Sequence, residues 1–251
     1  MNRFFFIICV SLGFVAFGVQ GQDKLTQALK EISVNNISLE TVQAMVSDSN
    51  GVYFYPKLVE QFEQAPQKML NTDFLMLYYG FMFMESYDPF AHFALEDSLS
   101  ALNEQARHQE ALELANELLL ANPVSIFGNI EKAIALNGLS EKAQGLDSSA
   151  YLQQSFEYLE RYRILVETME RAGVGSNYEK PIVLITPKDA QAILRRYRLT
   201  ELSKTLNGQG DRLYDVYLVR NPQEQQYPIY FDITVANLIG MAKLQDRLPQ
   251  D

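Results

Sequence analysis

The spacing of apolar residues changes character twice along this chain. From Asp23 to Ile32, Leu25, Ala28, Leu29 and Ile32 recur at helical spacing. Asn35-Asn36 breaks the pattern, and Ser38 stands where the cap of a second helix belongs, one carrying Leu39, Val42 and Val46. The cluster Ser47-Asp48-Ser49-Asn50-Gly51 predicts a turn, Val52 to Tyr55 a brief extended stretch, and Pro56 the first turn of a helix through about Gln64. Asn71 to Phe93 is the densest aromatic stretch, with Phe74, Tyr78, Tyr79, Phe81, Phe83, Tyr87, Phe90 and Phe93. Asn71 or Thr72 is the expected cap, Asp73 suits the positive end of the dipole, and Asp88-Pro89 is the expected stop. Apolar residues cover every face of that segment, which predicts a buried central helix; the alternative is an aromatic ligand groove. The unbroken apolar run from Phe74 to Met84 is short of the roughly 20 residues that span a bilayer.

Downstream the pattern becomes one of paired helices, Leu95 to Ala106 with Gln109 to Ala121, then Val124 to Leu136 with Ser140 onward. Asn122-Pro123 and Gly138 are the expected turns. The stretch EALELANELLLANP fits the second helix of a tetratricopeptide-like unit, with Ala111 at the close contact and Pro123 after it. Ala143 follows Ala111 by 32 residues, near the roughly 34-residue period of such repeats. A long helix comes next, with Leu152, Phe156, Leu159, Tyr162, Val166 and Met169 as its core stripe. Ala172 to Asn177 ends it and marks the expected boundary between a helical domain (22–172) and a smaller module (181–251), joined by a linker (173–180). In that module Ile182 to Ile185 reads as a buried strand and Thr186-Pro187-Lys188-Asp189 as a helix start. Asn207 to Gly210 reads as a turn, Leu213–Val219 and Pro228–Val235 as a β-hairpin, and Ala236 to about Leu248 as a last helix. The fold class expected is therefore α+β, mostly α: tetratricopeptide-like paired helices followed by a small C-terminal module with a β-hairpin.

Composition narrows the function classes. Residues 1–21 read as a cleaved secretory signal, with Arg3 ahead of the apolar stretch Phe4 to Val19, so the protein is expected in the periplasm or secreted. Cys9, the single cysteine, falls inside that signal. The mature chain then has no disulfide, thiolate metal site or cysteine nucleophile. With 21 Lys+Arg against 31 Asp+Glu the charge is −10, or about −11 once Arg3 is removed. Such a surface repels phosphate backbones and anionic headgroups, so neither nucleic acid nor a stable membrane anchor is expected. Arg195-Arg196-Tyr197-Arg198 is the single basic cluster and reads as a solvated or acid-paired face.

Candidate chemistry is sparse. No H-x-x-x-H, G-x-S-x-G or phosphate-loop pattern occurs, and no cofactor or metal is implied. His92, four residues after Asp88, is a candidate base with its orienter; the alternative is a helix-end histidine bonded to backbone. Asp88 and His92 are also candidate surface binding residues. If the hairpin loop is symmetric about Gln223–Glu224, Asp215 faces Asp232 and Tyr217 faces Tyr230 on a polar face. Two such carboxylates could act as a glycosidase-like acid pair, with Tyr217 and Tyr230 as binding residues. The bland alternative pairs them with Arg195, Arg198 or Arg212.

Several stretches together carry a resemblance: Val52-Tyr53-Phe54-Tyr55-Pro56-Lys57-Leu58-Val59, Asp73-Phe74 with Leu77-Tyr78-Tyr79-Gly80-Phe81, Tyr87-Asp88-Pro89-Phe90, and Ile229-Tyr230-Phe231-Asp232-Ile233. The chain resembles, from about Ser38 to Val235, the bacterial domain-of-unknown-function family numbered 4919. That resemblance implies an exported bacterial protein and no activity, cofactor or catalytic residue. The Gly173-Val174-Gly175-Ser176 turn lacks the acidic residue associated with it in relatives, which argues against a cation site there. The leading expectation is a non-enzymatic protein- or peptide-interaction module of the cell envelope. The alternative is a hydrolase of envelope or extracellular polymers built on Asp215 and Asp232.

Overall fold

The computed structural model describes residues 21–247, so the expected signal, apart from Gly21, lies outside the described residues. Residues 21–31 form helix α1. The Asn35-Asn36 break is a two-residue hairpin turn joining β1 (Ser33–Val34) to β2 (Ile37–Ser38). Both asparagines have positive φ, 50° and 65°, as a turn that follows the strand twist requires. Ser38 caps α2 (Leu39–Ser47), its Oγ accepting from the Thr41 amide at 3.2 Å. Val52 and Tyr53 lie in a turn rather than an extended stretch, and α3 (Tyr55–Gln64) starts with Pro56 in its first turn.

The aromatic segment forms α4 (Asn71–Gly80), in which every residue from Phe74 to Gly80 is buried. Its cap is Leu70, one residue earlier than expected, because the Asp73 carboxylate reaches back to accept from the Leu70 amide at 2.7 Å. The helix stops at Gly80, well before Asp88-Pro89, and tightens into a 3-10 turn at Phe81–Phe83. At Gly80 a Cβ would stand 2.8 Å from Val46 Cγ1 and 3.1 Å from the Tyr55 ring, so glycine lets α2 and α3 cross close to α4. Tyr78 and Tyr79 are fully enclosed, which makes the segment core and not an aromatic groove.

Four helices follow, each packed on the next: α5 (Phe93–Glu104), α6 (His108–Ala121), α7 (Ile126–Lys142) and α8 (Gly145–Ala172). Ala111 and Ala115 are buried at this packing, where small side chains let helix axes approach. The turn expected at Gly138 does not exist, because α7 runs through it to Lys142. Gly138 serves the packing instead: a Cβ there would lie 2.2 Å from the His108 ring at the start of α6. The chain turns at Ala143 and Gln144, and Gly145 takes φ +63° at the start of α8. Along α8 only part of the expected stripe is core. Tyr162, Val166 and Met169 are buried, whereas Leu152, Phe156 and Leu159 remain 40%, 59% and 41% exposed.

The C-terminal part holds β3 (Ile182–Val183), α9 (Asp189–Arg196), β4 (Thr200–Gln209), β5 (Arg212–Arg220), β6 (Gln226–Asp232) and α10 (Thr234–Arg247). Its sheet has the order β3-β6-β5-β4, with β3 parallel to β6 and the other pairs antiparallel. Strand β4 is absent from the expected element order. As an edge strand with nearly every residue exposed, it carries no apolar alternation to announce it. The turn that follows is Gly210-Asp211, just past the Asn207–Gly210 cluster. A single cluster of buried side chains runs from Ala28 and Leu39 through α4, α7 and α8 to Phe231 and Val235.

The Gly138–His108 contact yields a test. Gly138→Ala should lower stability by about 1–3 kcal/mol through overpacking. Adding His108→Ala should return part of that loss, read from urea unfolding midpoints. Strictly additive losses in the double variant would show that the histidine ring is not what the glycine accommodates.

Candidate functional site

The hairpin acids do not form a pair. The loop between β5 and β6 spans Asn221 to Gln225, an odd number of residues, with Glu224 at φ 62°. The strands therefore slip by one place from the symmetric register. Tyr214 faces Asp232, Asp215 faces Phe231, and Val216 faces Tyr230. Since successive side chains point to opposite faces, Asp215 and Tyr217 share one face while Asp232 and Tyr230 share the other. Each acid has its own cation: Lys204 Nζ lies 2.7 Å from Asp215, and an Arg212 nitrogen 2.5 Å from Asp232. Arg212 is one of the arginines expected for this role; Arg195 instead meets the buried Glu131 at 2.7 Å. Tyr217 is buried edge-on to Phe231, under the Lys204 ammonium. Tyr230 is half-buried against the Tyr178 ring at 4.6 Å. Burial holds the Asp232 carboxyl above its usual range, with Arg212 opposing. The geometry supplies neither a shared proton nor the common cleft that a pair of hydrolytic acids needs.

The Tyr87-to-His92 tail has a different character. Asp88 Oδ1 accepts from the Phe90 amide at 3.0 Å, and Oδ2 pairs with Arg247 of α10. His92, half-buried at the cap of α5, is thus without the orienting carboxylate of a general base. Behind it lies a buried polar junction that sequence reasoning missed. Asp189, expected only as part of a helix start, is wholly buried. Its Oδ1 accepts from the Phe127 amide in the first turn of α7, and its Oδ2 from the Tyr78 hydroxyl, both at 2.9 Å. Burial nevertheless outweighs these bonds and pushes its carboxyl up to about 7. Glu96 on α5 is 2% exposed; burial first, then the Asp189 charge, push it up to about 8, with Lys188 opposing. Glu96 Oε2 and Thr186 Oγ1 have no partner among the described residues, and both residues border a small cavity of about 10 Å³ beside Asp88 and His92. That volume holds roughly one water molecule and no organic ligand. Among the described residues no group of three or more His, Cys, Asp and Glu is placed to hold a metal ion.

A much larger open concavity lies elsewhere. A groove of about 790 Å³ runs between the end of α3, with its Pro66–Lys68 turn, and the N-terminal half of α8. Leu152, Phe156 and the half-buried Ile164 line it along α8, with Pro66 across from them. Glu63, Glu157, Glu160 and Arg161 also line it. The Arg161 guanidinium lies over the Phe62 and Tyr158 rings at 5.1 and 5.0 Å. A signal for this face was present: α8 has 28 residues against 17 in its neighbour α7, so part of a stripe that long has no helix to cover it.

The junction acids make a pH prediction. The folded carboxyls of Glu96 and Asp189 stand above their ordinary values, so the folded chain keeps protons that the unfolded chain releases. Their contribution is complete below the ordinary carboxylate range and is lost as pH rises toward about 8 for Glu96 and about 7 for Asp189. Glu96→Gln, which carries no titrating proton, should flatten the fall in melting temperature between about pH 5 and about pH 9. Parallel curves for the two proteins would show that Glu96 is not a source of that slope.

Neither a curated protein nor a solved structure gives a significant match to the chain. A family model described as Domain of unknown function (DUF4919) matches residues 40–238. It takes in the aromatic helix, the buried junction, all of α8 and the hairpin with its two separated acids. On a match over that much of its length, the chain belongs to this family.

Proposed function

We propose that the protein is a non-enzymatic module of the bacterial cell envelope that holds a protein or peptide partner in the groove along α8. The observation that carries this reading is the pair of exposed apolar side chains Leu152 and Phe156 that line that groove, with the exposed Leu159 one turn further along the helix. A contiguous apolar face rimmed by polar residues is the usual mark of an interaction surface. The helical pairs α5–α6 and α7–α8, with Ala111 and Ala115 at a close contact, support a tetratricopeptide-like scaffold beneath it. Export to the periplasm or beyond rests on the apolar N-terminal stretch after Arg3. Separation of Asp215 from Asp232 removes the ground for the hydrolase reading.

A photo-crosslinking residue placed at Leu152 in the expressed protein tests the proposal. It should capture a discrete partner in intact cells, and Phe156→Asp in the same chain should abolish that product. The same probe at Tyr227, exposed on β6, should not capture it. Equal labelling from both positions, or none from Leu152, would sink the proposal.

A further inference from the structure

We infer that the α8 groove accepts one amphipathic α-helix whose apolar stripe is flanked by lysine or arginine, supplied by a different polypeptide. The inference rests on the groove's being a binding site and adds what it binds. Its first support is the nature of the walls. One is the α8 helix, whose backbone N–H and C=O groups are bonded within it, and the other is the end of α3 with its 3-10 turn, where the Glu63 carbonyl is already taken by Arg161. An extended peptide laid there would bury main-chain donors and acceptors with nothing to pair with, as no strand edge is offered. A helix satisfies its own backbone and brings only side chains.

Spacing is the second support. Leu152, Phe156 and Ile164, the apolar side chains that α8 gives the groove, stand at i, i+4 and i+12, covering about 18 Å of helix axis. Those are intervals at which a partner helix presents apolar residues on one face. The third is charge. Glu63, Glu157 and Glu160 line the groove against the single cation Arg161. Glu160 is paired with Arg163 and so adds no net charge at the rim, which leaves Glu63 and Glu157 as its acids, Glu157 accepting from Gln153. The Arg161 guanidinium is engaged by two aromatic rings and by the Glu63 carbonyl. A basic partner therefore meets a complementary field. A second copy of this chain, itself at −10, would bring the same acids to the same place. An anionic lipid surface is repelled for the same reason.

The test uses the mature full-length protein and three labelled synthetic peptides of about four helical turns, enough to overlap the stripe. One carries leucines at i, i+3, i+4 and i+7 flanked by lysines. The second has the same composition in scrambled order, and the third replaces lysine with glutamate. Fluorescence anisotropy should show the first binding at least about ten-fold more tightly than either of the others. Phe156→Ala, at a surface position, should weaken it by about ten-fold while leaving the far-ultraviolet circular dichroism unchanged. Joint reversal of Glu63, Glu157 and Glu160 to lysine should exchange the preference between lysine and glutamate peptides. Equal binding of ordered and scrambled basic peptides, or no loss with Phe156→Ala, overturns the inference. So does a dimer in sedimentation that Phe156→Ala dissociates, because the occupant would then be a second copy. If the Leu152 crosslink persists while all three peptides fail, the occupant is wrong and the groove reading stands. If the crosslink fails as well, both fall.

Discussion

Four buried tyrosine hydroxyls fix how the two ends of this chain meet. Tyr78 donates to Asp189, Tyr79 to the Val183 carbonyl, Tyr87 to the Ile185 carbonyl and Tyr162 to the Ala192 carbonyl. All four rings are enclosed, so a hydroxyl without its acceptor would carry the full cost of lost hydration. The acceptors all lie between residues 183 and 192, and three of the donors come from the aromatic segment. Segment 182–192 can therefore take one position against α4 and α8. From there the remaining order follows: β3 receives β6 in parallel, β6 receives β5, and Asp189 holds the first turn of α7 through Phe127. Burial raises the phenol of Tyr78 well above its usual value, so it stays a donor throughout the physiological range.

The same docking determines what α8 has left over. Its C-terminal half lies under this assembly, with Tyr162, Leu165, Val166 and Met169 buried. Its N-terminal half continues past it with an apolar stripe that no element among the described residues covers. A helix that served only the core could end near α7's length; the extra turns add apolar surface that folding does not use. That surplus is a physical reason to place recognition there and not at the hairpin, where every buried acid already has a cation.

Much of the fold was legible because helix periodicity and turn residues report directly on local structure. Ser38, Pro56 and the Asn35-Asn36 turn act where their chemistry says they should. The aromatic segment was legible as core because a helix apolar on all faces has no solvent side. The failures share one cause, which is tertiary context overriding a local signal. Gly138 carries a turn signal, yet its missing side chain makes room for His108. Asp189 carries the signature of a first-turn acid, yet it is enclosed by residues more than sixty positions away. The hairpin register depended on loop parity, and the αL conformation of Glu224 has no signature in a residue other than glycine or asparagine. Strand β4 lies at a sheet edge with both faces wet, so its sequence reads as loop.

The distribution of charge connects the interior to the groove. Among the described residues five acids are buried: Glu96, Glu131, Asp189, Asp215 and Asp232. Three of them take a cation from the basic complement, namely Arg195, Lys204 and Arg212, in contacts of 2.7, 2.7 and 2.5 Å. A cation held against a buried acid is partly withdrawn from the surface field, and each such pair sums to nothing at a distance. Glu96 and Asp189 hold their protons more tightly than ordinary carboxyls and so add less negative charge near neutrality than ordinary carboxyls would. What a partner meets on approach is thus a shell in which acids still outnumber cations, although burial removes more acids than cations from it. Along α8 this shell borders an apolar stripe that the core of the described residues leaves open, and the pairing of those two properties is why the proposed partner is basic and amphipathic and not acidic or purely apolar.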